Sequence, residues 1–278
     1  MMRAVVFAAI AAPLMAQPFP IDHVTVAGRD LKAMTEALHA VTGIMAEYGG
    51  PHSNHATEMA LASFPDGSYL ELIAIQPHAD PAAVAAHYWH KFLESNGTPC
   101  AWAVRPAESA GEAGRLRNAG IAVTDWHRNG RKRPDSVELD WETAQVGPTN
   151  GGFFPFLIHD FTPRDRRAFP SGKPTTSQYA GIAKVVIGVG DLNAAIAQYR
   201  QAYALPAPDQ KDDPAFGARL ASFPGTPVVL AAPLSPHSWL DDRIRKLGDA
   251  PCAFILGKPQ GVVRWLDSAK LGWHLGVE

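Results

Sequence analysis

Two stretches of this 278-residue chain align without a gap. Ile21-Asp22-His23-Val24-Thr25-Val26-Ala27-Gly28-Arg29-Asp30-Leu31 matches Ile182-Ala183-Lys184-Val185-Val186-Ile187-Gly188-Val189-Gly190-Asp191-Leu192. Ala62-Ser63-Phe64-Pro65 recurs as Ala221-Ser222-Phe223-Pro224, and Pro99-Cys100-Ala101 as Pro251-Cys252-Ala253, in the same order. Three landmarks in one order imply a duplication, and so two related halves built on one local plan.

That plan is legible in the first copy. A β-rich run at 24–27 leads to Asp30, a helix N-cap, and Leu31, Met34, Leu38 and Val41 then follow at helical spacing up to Gly43. A strand around Glu47-Tyr48, one over 58–64, a turn at Pro65-Asp66-Gly67 and a strand over 69–75 complete β-α-β-β-β. A weaker recurrence predicts a strand at 100–104, a helix at 107–119, and strands at 121–126, 137–141 and 153–159. Residues 79–94 read as a helical connector, and 164–178, rich in Pro, Ser, Thr and Gly, as the linker between halves. The expected fold class is α+β, with tandem βαβββ modules forming cupped mixed sheets and the last module truncated. The expected division is a leader at 1–16, a first half at 21–163, the linker, and a degenerate second half at 179–278.

The leader has Arg3 as a positive start, apolar residues from Ala4 to Ala12, and Ala16 ahead of Gln17. It reads as an export signal cleaved near Ala16, giving a periplasmic or secreted protein; the alternative is a buried N-terminal strand or helix. The run is too short for a membrane span. Basic and acidic residues number 25 and 27, which leaves no global field to steer the chain onto nucleic acid. The basic cluster Arg128-Asn129-Gly130-Arg131-Lys132-Arg133 reads as a solvated turn. Cys100 and Cys252 lie in apolar runs and are read as buried, unpaired small hydrophobes rather than as one disulfide.

His23 and Glu71 carry the chemical signal. Glu71 lies in Tyr69-Leu70-Glu71-Leu72-Ile73-Ala74-Ile75, a strand apolar on both faces, where an unpaired carboxylate is costly. An imidazole and a carboxylate on neighbouring strands suit Zn²⁺, Fe²⁺, Mn²⁺ or Ni²⁺. The plain alternatives are a Glu facing water and an Asp–His pair satisfied by its own hydrogen bond. The repeat weighs for the metal, because Lys184 and Leu230 align with the two ligands in the second half and both are lost together. His52, in the loop Gly49-Gly50-Pro51-His52-Ser53-Asn54-His55, is a third ligand or a substrate contact, and His159 a further candidate. His55 reads as solvent-facing, and His87 and His90 as one solvated helix face. Nucleophile-elbow, P-loop, Cys-x-x-Cys and His-Glu-x-x-His motifs are absent, and Gly188-Val189-Gly190 lacks the third glycine of a dinucleotide fingerprint.

The first half resembles the glyoxalase-like branch of the vicinal oxygen chelate superfamily. The residues concerned are Ile21-Asp22-His23-Val24 with Asp30-Leu31, Gly49-Gly50-Pro51-His52, Tyr69-Leu70-Glu71-Leu72-Ile73-Ala74, and Phe153-Phe154-Pro155-Phe156-Leu157-Ile158. The resemblance implies paired βαβββ modules cupped around a cleft, with first and last strands supplying metal ligands, here His23 and Glu71. Two features depart from the branch. Ala56-Thr57-Glu58-Met59 stands where its members tend to show Gly-Thr-x-Asn, and the second module's first strand offers Cys100 and Trp102 rather than His or Gln.

The function expected is that of a divalent-metal enzyme of lyase, isomerase or dioxygenase type. It would act on a small oxygen-rich substrate through metal stabilisation of an enediolate-like oxyanion, with His23, Glu71 and His52 as ligands and Glu71 as the catalytic group. Tyr69, Trp102 and His159 are candidate substrate contacts. The rival is a metal-free protein of the bleomycin-resistance type that sequesters a small molecule among Tyr69, Trp102, Trp126, Trp141 and Phe156. Oligomeric state is left open.

Overall fold

Strand β1 (Ile21–Gly28) is buried along its whole length, because both faces are covered. Val24 and Val26 pack toward the helices, and His23, Thr25 and Ala27 face the other way. Asp30 then accepts from the Ala33 backbone N–H at 3.0 Å and starts α1 (Leu31–Thr42), whose Leu31, Met34, Leu38 and Thr42 are buried. Burying a side chain such as Leu38 contributes about 1.5–3 kcal/mol. Gly43 ends the helix at φ 75, a left-handed turn that glycine adopts without strain. Strands β2 (Glu47–Pro51), β3 (Thr57–Ser63) and β4 (Tyr69–Ile75) follow, and β4 returns parallel to β1.

After α2 (Pro81–Ala86) and α3 (His90–Leu93) the unit recurs. It consists of β5 (Thr98–Val104), α4 (Ser109–Asn118), β6 (His127–Lys132), β7 (Glu138–Ala144) and β8 (Phe156–Asp160). Antiparallel pairing of β1 with β5 joins the two units into one eight-stranded sheet, ordered β2-β3-β4-β1-β5-β8-β7-β6. The sheet curls until its edges meet: Arg131 on β6 donates to the Gly49 carbonyl on β2 at 2.7 Å.

The second half follows α5 (Arg164–Ala168) and begins with β9 (Ile182–Gly188), α6 (Leu192–Tyr203), β10 (Asp209–Asp213), β11 (Ala218–Ser222) and β12 (Val228–Pro233). It ends with α7 (Trp239–Leu247), β13 (Ala250–Leu256), the two-residue β14 (Arg264–Trp265), α8 (Ser268–Leu271) and β15 (His274–Val277). These strands form a seven-stranded sheet, so the fold is α+β with two curled mixed sheets and a shortened last unit. Helix-side residues of both halves, Leu38, Trp102 and Tyr199 among them, share one core. The computed structural model describes residues 19–148, 152–257 and 262–278; the leader read at 1–16 lies outside them. No helix among the described residues is long and apolar enough to cross a membrane.

Four local expectations are corrected. The strand expected at 121–126 is instead His127–Lys132, and Val123 keeps only an isolated bridge to Val146. The basic cluster is therefore a strand rather than a turn, with Asn129 and Arg131 half-buried and Arg128, Gly130 and Lys132 exposed. The connector at 79–94 breaks into two short helices at His87, whose ψ of 130 is extended. The repeat also shifts by one position at its ligands. Val186 pairs with Val229 as Thr25 pairs with Glu71, so Val229 is the counterpart of Glu71, and Leu230 lies on the helix side. The conclusion is unchanged, since Lys184 and Val229 are not a ligand pair. Cys100 and Cys252 are both buried and unbridged.

Candidate metal and substrate site

Register brings the sequence signals together. His23 pairs with Tyr69 and Thr25 with Glu71 across the parallel β1–β4 ladder, so all four share the concave face. The His23 ring stacks on Tyr69 at 4.7 Å and 12°. Asp22 falls at a register irregularity between β1 and β5, and its Oδ1 lies 2.6 Å from His23 Nδ1. A carboxylate only accepts, so Nδ1 donates, and Nε2 is turned toward the cup, 3.8 Å from Glu71 Oε2. On the other side, His52 is pinned by its backbone N–H to the Thr57 carbonyl, and its Nδ1 lies 2.8 Å from Thr57 Oγ1. Its Nε2 stands 3.8 Å from Glu71 Oε1. Glu71 thus faces one imidazole with each oxygen, while Thr25 donates to Oε2 at 3.1 Å.

A buried ionic lattice fixes this arrangement from behind. Arg167, in α5 of the segment read as a linker, grips Asp22 with two bonds of 2.9 Å and Asp160 with bonds of 2.5 and 2.7 Å, and also reaches the Tyr69 hydroxyl. Arg164 adds a second contact to Asp22. Burial alone would push the Asp22 carboxyl up. Arg167, the His23 hydrogen bond and Arg164 together outweigh it and hold the group well below the usual carboxylate range. Burial pushes the Tyr69 phenol far up, so it stays protonated. At His52 burial pushes the imidazole down, with Glu71 opposing and Arg131 assisting, which favours the neutral ligand form.

These groups open onto a cavity of about 260 Å³, walled by Met59, Trp89, Trp141 and Phe156, with Asn129 and Arg131 on β6. Tyr69 lines it as expected. Trp102 does not: it is fully buried on the other face, against Phe19, because the β5 residues turned into the cup are Cys100, Ala101 and Ala103. His159 is exposed on the outer face of β8, where Ser109 Oγ lies 3.5 Å from its Nδ1; strand parity gives the cup to Phe156 and Ile158. Trp126 packs on the shared core, while Trp141 lines the cavity. His55 and His90 are exposed, but His87 also lines the cavity and is corrected from a solvated position. Sequence reasoning missed Arg131, His87 and the role of Arg167.

The donor set fits a divalent ion in kind: two imidazoles that turn Nε2 to the cup, each with an oxygen beside Nδ1, and one carboxylate. In spread it is wider than a filled coordination sphere. Among the described residues, three such groups lie within 4.8 Å of one another only at His237, Asp241 and Asp242 on the surface, the middle one half-buried, and both acids already pair with Arg245. In the second unit, burial pushes the Cys100 thiol well up, away from the thiolate form that ligates metals.

Comparison with known proteins agrees with this architecture. A glyoxalase-like domain matches residues 21–217. No curated protein matches. The crystal structure of a hypothetical protein from Staphylococcus aureus superposes with TM-score 0.66 at 11% identity, over 94% of this chain and 99% of that one. A mutant of 4-hydroxymandelate synthase from Streptomyces coelicolor gives TM-score 0.56 at 12% identity, over 87% and 71%. At such identities the likeness establishes the fold. The chain belongs to the glyoxalase-like domain family and has the tandem βαβββ fold of the vicinal oxygen chelate superfamily.

Proposed function

We propose that the first cup is the active site of a divalent-metal-dependent enzyme acting on a small oxygen-rich substrate, of lyase, isomerase or dioxygenase type. One observation carries the reading: two imidazoles, each with Nδ1 engaged, direct Nε2 to opposite oxygens of a single carboxylate inside a cavity. His23, His52 and Glu71 would hold the ion, and the ion would supply Lewis-acid stabilisation of charge developing on a substrate oxygen. Asp22 fixes the His23 ring, Arg167 fixes Asp22, and Thr25 orients Glu71. Glu71 is the carboxylate placed to exchange a proton with a bound substrate, and the aromatic walls exclude water around it. Residues 1–16 serve as a removable export leader, residues 21–163 carry the activity, and 179–278 are its degenerate partner.

Elemental analysis of protein purified without chelators or metal-affinity steps tests the reading. About one ion per chain, lost in His23→Ala and in Glu71→Ala, is expected; metal-free protein refutes it. The wide spread of the three donors favours one alternative, a metal-free protein that sequesters a small molecule in the same cup. N-terminal sequencing of protein recovered from the periplasm, starting at Gln17, would support export.

A further inference from the structure

Arg131 is a half-buried cation on the cavity wall to which, among the described residues, no carboxylate is paired. The other arginines of the same stretch are neutralised, Arg128 by Asp140 and Arg133 by Asp135 at 2.6 Å, while Lys132 is exposed to solvent. Arg167, the other arginine at the cavity, is held between Asp22 and Asp160. Among the described residues, the one side-chain hydrogen bond of Arg131 runs from Nη1 to the Gly49 carbonyl. That bond holds the guanidinium at the cavity wall and uses one of its five donors. Burial disfavours its charge, Arg133 and Arg167 add to that, and the field of Glu71 opposes it without forming an ion pair. A desolvated guanidinium without a counterion is costly, and a planar anion docked on its fork would relieve that cost.

The surroundings say what carries the anion. Trp141 pairs with Asn129 in the β6–β7 ladder and lines the same cavity, with Trp89 and Phe156 as further walls. At about 260 Å³ the space suits one small planar body. Glu71 repels an anion from its own end of the cup, which leaves the Arg131 wall.

We propose that the ligand of this cup is a small aromatic carboxylate, its carboxylate held by Arg131 and its ring among Trp89, Trp141 and Phe156. The far end of the ligand then faces His23, Glu71 and His52. This deepens the proposed function and rests on the same cup, but it does not require that a metal be bound.

The test is calorimetric titration of chelator-treated, full-length protein with benzoate and with its neutral isostere benzamide. Benzoate is expected to bind at least tenfold more tightly, and the ratio to fall to about one in Arg131→Gln. Glu71→Gln, which removes the proposed metal ligand, is expected to keep or raise the preference. Should Arg131→Gln fail to fold, Arg131→Lys decides: a preference weakened several-fold supports the fork contact. Failure of benzoate to bind, equal binding of the two probes, or a preference indifferent to Arg131 overturns the proposal. A benzoate preference in protein that holds no metal on purification would sink the metal reading and spare this one.

Discussion

Arg167 and Asp22 meet fork to fork, two bonds of 2.9 Å between a guanidinium and a carboxylate that is wholly shielded from solvent. The contact joins α5 to β1 and lies directly behind His23. Removing one partner leaves the other charged and buried, which costs about 3–5 kcal/mol. Arg167→Gln should therefore lose about that much stability in urea unfolding. Asp22→Asn with Arg167→Gln should lose less than the sum of the single changes, because the pair is removed as a unit. An additive double variant would show that the two act separately.

Asp22 also sets which nitrogen of His23 faces the cup. An Asn at position 22 can present its amide N–H₂ to Nδ1 and turn the ring's proton to Nε2. Asp22→Asn should weaken Zn²⁺ or Mn²⁺ binding about 10–100-fold, the usual effect of losing such a backing carboxylate. Competition against a chromophoric chelator reads it. His159→Ala, on the outer face, should leave the same affinity unchanged.

The second cup carries Lys184 and Val229 at the positions of His23 and Glu71, and its concave face is filled with apolar side chains. Phe216 stacks on Trp265 at 4.1 Å, and Val186, Val229 and Leu220 fill the rest of the concave face. Phe216→Ala should lower stability by about 3–5 kcal/mol, as for a large buried aromatic. Metal content and benzoate affinity should stay at wild-type values. A parallel loss of ligand binding in the folded variant would mean that the second cup takes part in the site.

The duplication, the cupped sheets and the convergence of His23, Glu71 and His52 were legible because each rests on short-range pattern: strand parity, an N-cap, a glycine-led loop. Trp102 was misplaced because β5 is irregular against β1, and the irregularity decides which side each residue takes. Arg131 was hidden because a strand of five polar or charged residues and a glycine has no hydrophobic alternation, and its inward face exists only once the sheet curls back to Gly49. Arg167 could not be found from sequence at all. It lies far along the chain from Asp22, in a segment whose composition reads as linker, and only the assembled sheet brings it behind the site.

His274 gives the chain a titration that does not depend on the first cup. Its ring stacks on Trp239 at 3.7 Å, with Phe216 edge-on at 5.5 Å. Burial, assisted by Arg243, pushes its pKa down to about 4 from the ordinary 6.5. Above pH 6.5 both folded and unfolded chains hold the neutral ring and the group contributes no pH dependence. Between 6.5 and 4 the unfolded chain takes up a proton that the folded one refuses, so stability falls as pH is lowered through this window. The fall attributable to His274 is at most about 3 kcal/mol, and less for the ring's partial exposure. Urea unfolding of wild type and His274→Gln at pH 7.5 and 4.5 isolates it. The variant should be less stable than wild type at pH 7.5, where the aromatic stack is lost, and the gap should narrow or reverse at pH 4.5. A gap of constant size across the two values would mean that His274 titrates normally in the folded protein.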